Sequence, residues 1–199
     1  SGSWQDLVTG GDISGANTTQ LTLSNSDSTD QANYRVVVSG DCGPDQTSAS
    51  VSLTVNKATQ ITSQPSDVVV CEGTNASLSL SAEGTNLAYQ WQKFDGASWQ
   101  DLTNAGDISG ATSNSLTINN TDQTDQADYR CQVSGDCGNV TSNVAALTVN
   151  SNTQITSQPS NLTVCEGEDA LFSITADGTN LAYQWQSDAA GSWQDLVTG

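Results

Sequence analysis

The chain has 199 residues, 35% of them hydrophobic, and its 22 acidic side chains outnumber four basic ones (Arg35, Lys57, Lys93, Arg130) for a net charge of -18. A surface of that sign repels phosphate backbones and anionic headgroups, which excludes nucleic acid as a partner and argues against docking on an anionic membrane. No run approaches the roughly 18 apolar residues of a membrane span, so no membrane insertion is expected.

Low apolar content with high net charge is a mark of disorder, but five Trp, four Tyr and a regular β-branched alternation predict thin folded β modules instead. Repetition organises the chain. Gly2 to Gly10 is identical to Gly191 to Gly199, and Ala97-Ser98-Trp99-Gln100-Asp101-Leu102 is a looser copy midway. Trp4, Trp99 and Trp193 therefore recur at a spacing of about 95 residues, the signature of a repeat protein. The identical ends make the full period two modules long.

In chain order, residues 59–70 predict a first strand broken by Pro65, followed by a turn at Cys71-Glu72-Gly73-Thr74-Asn75. Ala76, Leu78, Leu80 and Ala82 alternate with Ser77, Ser79 and Ser81, the period of a half-buried strand. Gly84-Thr85-Asn86 turns the chain into a strand at 87–92, and Asp95-Gly96 turns it into 98–102. Residues 115–118 alternate again. Residues 127–133 and 140–149 form a last pair around Gly135-Asp136-Cys137-Gly138. No stretch carries a useful helical period. Short strands with turns every eight to twelve residues predict an all-β sandwich.

Cys71-Glu72-Gly73, Tyr89-Gln90-Trp91-Gln92, Asp125 to Cys131, Val133 to Gly138 and Ala146-Leu147-Thr148-Val149 resemble an immunoglobulin-like fold. The resemblance is to the tandem bacterial immunoglobulin-like repeats of giant secreted Bacteroidota surface adhesins and extracellular filament proteins, and it covers the whole chain. It implies tandem sandwiches: residues 1–56 as the C-terminal half of one domain (strands C′ to G), 57–150 as a complete domain, and 151–199 as the N-terminal half (strands A to C′) of the next. Trp91 and Trp185 take the place of the core tryptophan of strand C, and Tyr34 and Tyr129 that of the tyrosine corner. The strand-B cysteine of the family is replaced by Leu80 and Ile174. Its strand-F partner is Cys131 in one repeat and Val36 in the other. Apolar contacts, Leu80 with Cys131 and Ile174 with Val36, are expected where the core disulfide would lie.

Cys71 and Cys165 share the A–B turn, and Cys42 and Cys137 share the F–G turn. In this fold those turns sit at opposite ends of a domain, about 30 Å apart along strand G, whereas a disulfide needs Cα atoms within about 7 Å. Pairing inside a domain is therefore not expected. Across a joint the two turns face each other. Cys71 is expected to bond a Cys42-type residue of the following domain, and Cys137 a Cys165-type residue of the preceding one, with partners beyond this sequence. Free thiols and lateral cross-links are the alternatives. Cys131 reads as a buried thiol acting as a small hydrophobe.

With no histidine the common general base and zinc ligand are missing. No nucleophile elbow, C-x-x-C pair or phosphate loop occurs, so an enzyme is not expected. Asp122, Asp125 and Asp128, with Asp27 and Asp30 matching the first two, are oxygen ligands of the kind calcium prefers. The plainer expectation is that Asp125 and Asp30 hold the turn before the corner tyrosine while the others are solvated, and that no cofactor is bound.

The expected function is a structural repeat unit of a long extracellular fibre or adhesin stalk, with domains stacked end to end and stapled by inter-domain disulfides. Its expected partners are copies of itself, along the array or laterally in a filament, and a cell surface. The alternative is an adhesion module that binds a glycan or a cell-surface ligand. Asn56-Lys57-Ala58 and Asn150-Ser151-Asn152 are short linkers without Gly or Pro, which predicts stiff joints. The chain reads as an internal piece of a longer one, its ends one cut in a continuous array; completion of one half-domain by another subunit is the alternative.

Overall fold

A computed structural model describes residues 3–189 and 191–197. The repeat positions Gly2, Thr198 and Gly199 lie outside the described residues. The chain is all-β, with one 3-10 turn and no α-helix among the described residues. Before the first linker come β1 (Ile13–Ser14), β2 (Thr22–Leu23), β3 (Ala32–Tyr34), β4 (Val37–Val38), β5 (Gln46–Thr47) and β6 (Val51–Leu53). Between the linkers lie β7 (Gln60–Ser63), β8 (Val68–Cys71), β9 (Ala76–Ser79), β10 (Ser81–Glu83), β11 (Ala88–Phe94) and β12 (Trp99–Asp101). They are followed by β13 (Ile108–Ser109), β14 (Ser115–Ile118), β15 (Ala127–Gly135), β16 (Gly138–Thr141) and β17 (Ala145–Asn150). After the second linker come β18 (Gln154–Ser157), β19 (Thr175–Asp177), β20 (Gln186–Ser187) and β21 (Gln194–Asp195).

Chain contacts divide these elements into two compact units. One holds residues up to 63 with 81–89 and 132–141; the other holds 64–80, 90–131 and the chain from 142 onward.

In the first unit β1 pairs with β2, β3 with β6 and β4 with β5, all antiparallel. The 3-10 turn at Ser28–Asp30 opens on a capping box in which Asp27 and Asp30 each accept from the other end of the turn. β7 pairs with β10, with a bulge between Ser81 and Ala82. The end of β15 turns back through Asp136-Cys137 into β16, with Val133 opposite Val140. Gly135 is required here, because a Cβ would lie 2.5 Å from Thr59 Oγ1 and 3.0 Å from the Thr85 carbonyl oxygen.

In the second unit the predicted alternation of strand B is realised. Ala76, Leu78 and Leu80 are buried while Ser77 and Ser79 face out, and β9 pairs with β14 so that Leu78 stands opposite Leu116 and Ala76 opposite Ile118. The break after Ser79 has a local cause: Leu80 N–H donates to the Asn114 carbonyl instead of continuing the ladder. Pro65 interrupts the first strand as predicted. Residues 68–71 then run parallel to β17, matching Val68 to Leu147 and Cys71 to Asn150. The larger sheet has the order β12-β11-β15-β17-β8.

Sequence reasoning passed over β13, a two-residue strand on β14. It is set by the tight turn at Gly110 (φ +77), where a Cβ would lie 2.0 Å from the Ser115 carbonyl oxygen. After the second linker β18 pairs with β19, again with a bulge, and β20 with β21. Among the described residues the buried hydrophobic core runs from Ala76 to Val149, with Pro65 also buried before it.

Candidate functional site

The core positions separate by location. Trp91, Tyr129, Leu80 and Cys131 are all buried, Trp91 completely. Trp91 Nε1 donates to the Ser113 carbonyl at 2.9 Å, so the one polar atom of the ring is satisfied inside the apolar shell. Their repeat equivalents are less covered. Trp185 and Val36 are 43% and 48% exposed, and Tyr34 and Ile174 are half-buried. Phe172 and Trp185 pack ring to ring at 6.4 Å in a face otherwise open to solvent. Burial pushes the Cys131 thiol up to about 11, against a lowering from the Gln90 backbone. At neutral pH it is a protonated, apolar filler of the core.

Both corner tyrosines close the same bond. Tyr129 OH donates to the Asp125 carbonyl at 2.7 Å, and Tyr34 OH to the Asp30 carbonyl at 2.6 Å. Burial, with the Asp125 charge nearby, pushes the Tyr129 phenol far above its ordinary value. The acidic residues before the corner are committed to their own turn. Asp122 Oδ1 accepts from Thr124 N at 2.7 Å and from Thr124 Oγ1 at 2.6 Å, and Asp125 Oδ2 accepts from Asp122 N at 3.0 Å. Asp27 and Asp30 repeat the pattern. These bonds hold the Asp122 and Asp27 carboxyls below the usual carboxylate range. Asp128 stands apart on β15, opposite Ala146. Among the described residues no three His, Cys, Asp or Glu side chains are grouped as a metal site.

A surface cluster not anticipated from the sequence repeats with the same period. The Arg130 guanidinium lies 4.2 Å over the Trp99 ring, and its Nε donates to Gln92 Oε1 at 2.8 Å. Gln92 Nε2 in turn donates to Asp101 at 2.7 Å. Arg35 lies 4.1 Å over Trp4 in the earlier copy, and Gln186 reaches Asp195 at 2.8 Å in the later one. The signal was present: each arginine directly follows a corner tyrosine, and each tryptophan sits in the repeated Ser-Trp-Gln-Asp-Leu. Alternation on β15 places Arg130 on the face opposite Tyr129 and Cys131.

The linkers are pinned in the same way at both places. Lys57 N–H donates to Thr85 Oγ1 at 2.7 Å while Thr85 N–H returns to the Lys57 carbonyl at 3.3 Å. Ser151 and Thr179 repeat the exchange at 2.8 and 3.3 Å. Asp136 Oδ2 accepts from Asn56 Nδ2 and Asn86 Nδ2 at 3.1 and 2.8 Å. Asn152 Nδ2 donates to the Glu72 carbonyl at 3.1 Å. Cys42, Cys71, Cys137 and Cys165 are exposed thiols, the middle two beside these linkers.

A family model described as a domain of unknown function (DUF8696) matches residues 60–151. Endoglucanase C of Cellulomonas fimi is 32% identical over 146 residues, covering 71% of this chain and 13% of that protein. The muscle M-line assembly protein unc-89 of Caenorhabditis elegans is 26% identical over 194 residues, covering 92% of this chain and 2% of that protein. The chain thus spans a small fraction of both relatives. Among solved structures, an I-band fragment of titin superposes with a TM-score of 0.70 at 18% identity, covering 97% of this chain and 68% of that one. Extracellular domains 3–5 of Drosophila OTK superpose with a TM-score of 0.55 at 17% identity, covering 74% of this chain and 49% of that one. At such identities the likeness establishes the fold, that of tandem immunoglobulin-like sandwiches.

Proposed function

We propose that this chain is a non-catalytic, structural repeat unit of a long extracellular fibre or adhesin stalk, built from immunoglobulin-like sandwiches joined end to end and stapled through the exposed cysteines at their joints. The observation that carries the reading is the pair of linkers. Each is held by the same reciprocal backbone–threonine exchange, Lys57 with Thr85 and Ser151 with Thr179. A linker tied to the domain that follows it keeps fewer free torsions than a flexible tether, which favours a stiff rod. The repeated arginine–tryptophan cluster and corner tyrosine add the same small set of stabilising contacts to every copy. The acidic skin keeps such a rod soluble and apart from its neighbours.

In this reading the sequence is one period of a continuous bacterial surface array. Residues 57–150 form a whole domain, and residues 151–191 followed by the next copy's 3–56 form its partner. Similarity to a cellulase and to a muscle assembly protein, each very much longer than this chain, agrees with a module used many times in different settings. Electron microscopy of the native material tests it. A beaded thread with one bead per domain at regular spacing is the expected image; isolated globules would overturn the reading. A glycan array probed with one full period separates the alternative: tight and selective binding would make the module an adhesin domain instead of a spacer.

A further inference from the structure

The two joints each display one side of a single arrangement. At the second joint Cys71 is the parallel-strand partner of Asn150, about 4.8 Å away across the sheet, and the adjoining Glu72 N–H donates to the Asn150 carbonyl at 2.9 Å. At the first joint the Cys137 sulfur lies 3.5 Å from the Asn56 carbonyl oxygen, on which its thiol donates. Asn56 and Asn150 are the same residue of successive repeats, each closing a Leu-Thr-Val-Asn run. The Asn150 carbonyl thus receives the A–B turn of the domain before its joint, the equivalent Asn56 carbonyl receives the F–G turn cysteine of the domain after its own, and a carbonyl has the two lone pairs to receive both.

Resting on the array reading above, we propose that this linker asparagine is the gathering point of a disulfide that closes every joint. Its two forms are Cys71 with Cys42 of the next period, and Cys165 with Cys137 of the next period. All four thiols are exposed and open to an oxidant. With glutathione disulfide as that oxidant, one cysteine thiolate attacks it and releases one glutathione, forming a mixed disulfide. The second thiolate attacks the protein sulfur of that intermediate and releases the other glutathione. The two electrons and two protons lost by the cysteines leave on two glutathione thiols. The bond bridges the linker in parallel with the backbone, so a joint carries load through two covalent paths.

The test is a chain carrying residues 3–191 three times in succession, oxidised with glutathione disulfide and mapped by mass spectrometry without reduction. Four of the five thiols of the internal period are expected to be lost to alkylation and to return on reduction. The recovered cross-linked peptides should be Cys71 with Cys42 and Cys165 with Cys137. Cys71→Ser should free Cys42 of the following period and leave the Cys165 bond intact. Persistent free thiols, a Cys71–Cys137 bond within one domain, or cross-links only between separate chains would each overturn the proposal. Microscopy of the oxidised parent keeps the two ideas apart: threads whose four thiols stay free to alkylation sink the disulfides and leave the array standing, and isolated globules sink the array.

Discussion

Trp91 and Trp99 stand eight residues apart on paired strands and do different work. Trp91 fills the core with its indole N–H bonded inside, so Trp91→Ala leaves a large cavity and an unpaired Ser113 carbonyl. It should lower unfolding free energy by about 3–5 kcal/mol in urea titration. Trp99 covers a guanidinium at the surface, and Trp99→Ala should cost about 0.5–1 kcal/mol in the same measurement. Equal losses would show that the two tryptophans are not divided in this way. Cys131 adds a pH signature. Its folded value of about 11 lies above the ordinary thiol value of 9.0. The folded state therefore holds the proton more tightly. That contribution is complete below pH 9 and is lost as pH rises from there through about 11. Urea midpoints of the parent should fall across that interval more steeply than those of Cys131→Val.

At the scale of elements, short polar turns fix where strands end. The turn before the tyrosine corner is a closed set of bonds: Asp122 caps it, Asp125 answers from the other side, and the phenol of Tyr129 locks the following strand to the Asp125 carbonyl. Tyr129→Phe keeps the ring packing and should cost about 0.5–1.5 kcal/mol, whereas Tyr129→Ala should cost several times that in calorimetry. Hydrogen bonds to the ionised carboxylates hold Asp27, Asp95 and Asp122 below their ordinary value of 3.8. Their stabilisation is present above that value and is lost as pH falls through the lower folded values. Acid melting followed by circular dichroism should therefore begin only below the ordinary carboxylate range. If calcium bound this turn, calcium would raise the melting temperature; a turn whose carboxylates are already bonded internally should show no such shift.

At the scale of the molecule, net charge and repetition act against each other. The net charge of -18 on this chain keeps neighbouring rods apart at low ionic strength. Raising the ionic strength from about 0.01 to 0.15 M shortens the screening length from about 30 to 8 Å. Light scattering from an array of repeats should then rise with salt, and rise more at equal ionic strength with calcium. Scattering independent of salt would remove charge as the control on lateral bundling. The pinned linkers carry a separate prediction. Thr85→Val and Thr179→Val remove the acceptors of Lys57 and Ser151, and small-angle scattering from an array should then give a shorter average end-to-end length than the parent.

The pattern of this chain alone determined the class of fold, because period-two alternation and turn residues act locally: Ala76, Leu78 and Leu80 face inward as their spacing requires. The repeats were likewise legible, and Trp91 and Tyr129, singled out by their motifs, are buried. The pairing of strands was not. Which strand runs parallel to β17, where the bulge after Ser81 falls, and that Gly135 must lie against Thr59 depend on contacts between residues far apart in sequence. The arginine–tryptophan stack escaped notice for the same reason, since Trp99 and Arg130 meet only after β11, β12 and β15 assemble. The cysteines show the division most plainly. Their spacing announced a repeated position, but only the folded chain reveals that Cys71 borders Asn150 and Cys137 borders the equivalent Asn56, because that proximity is made by sheet pairing and a turn, not by the order of residues.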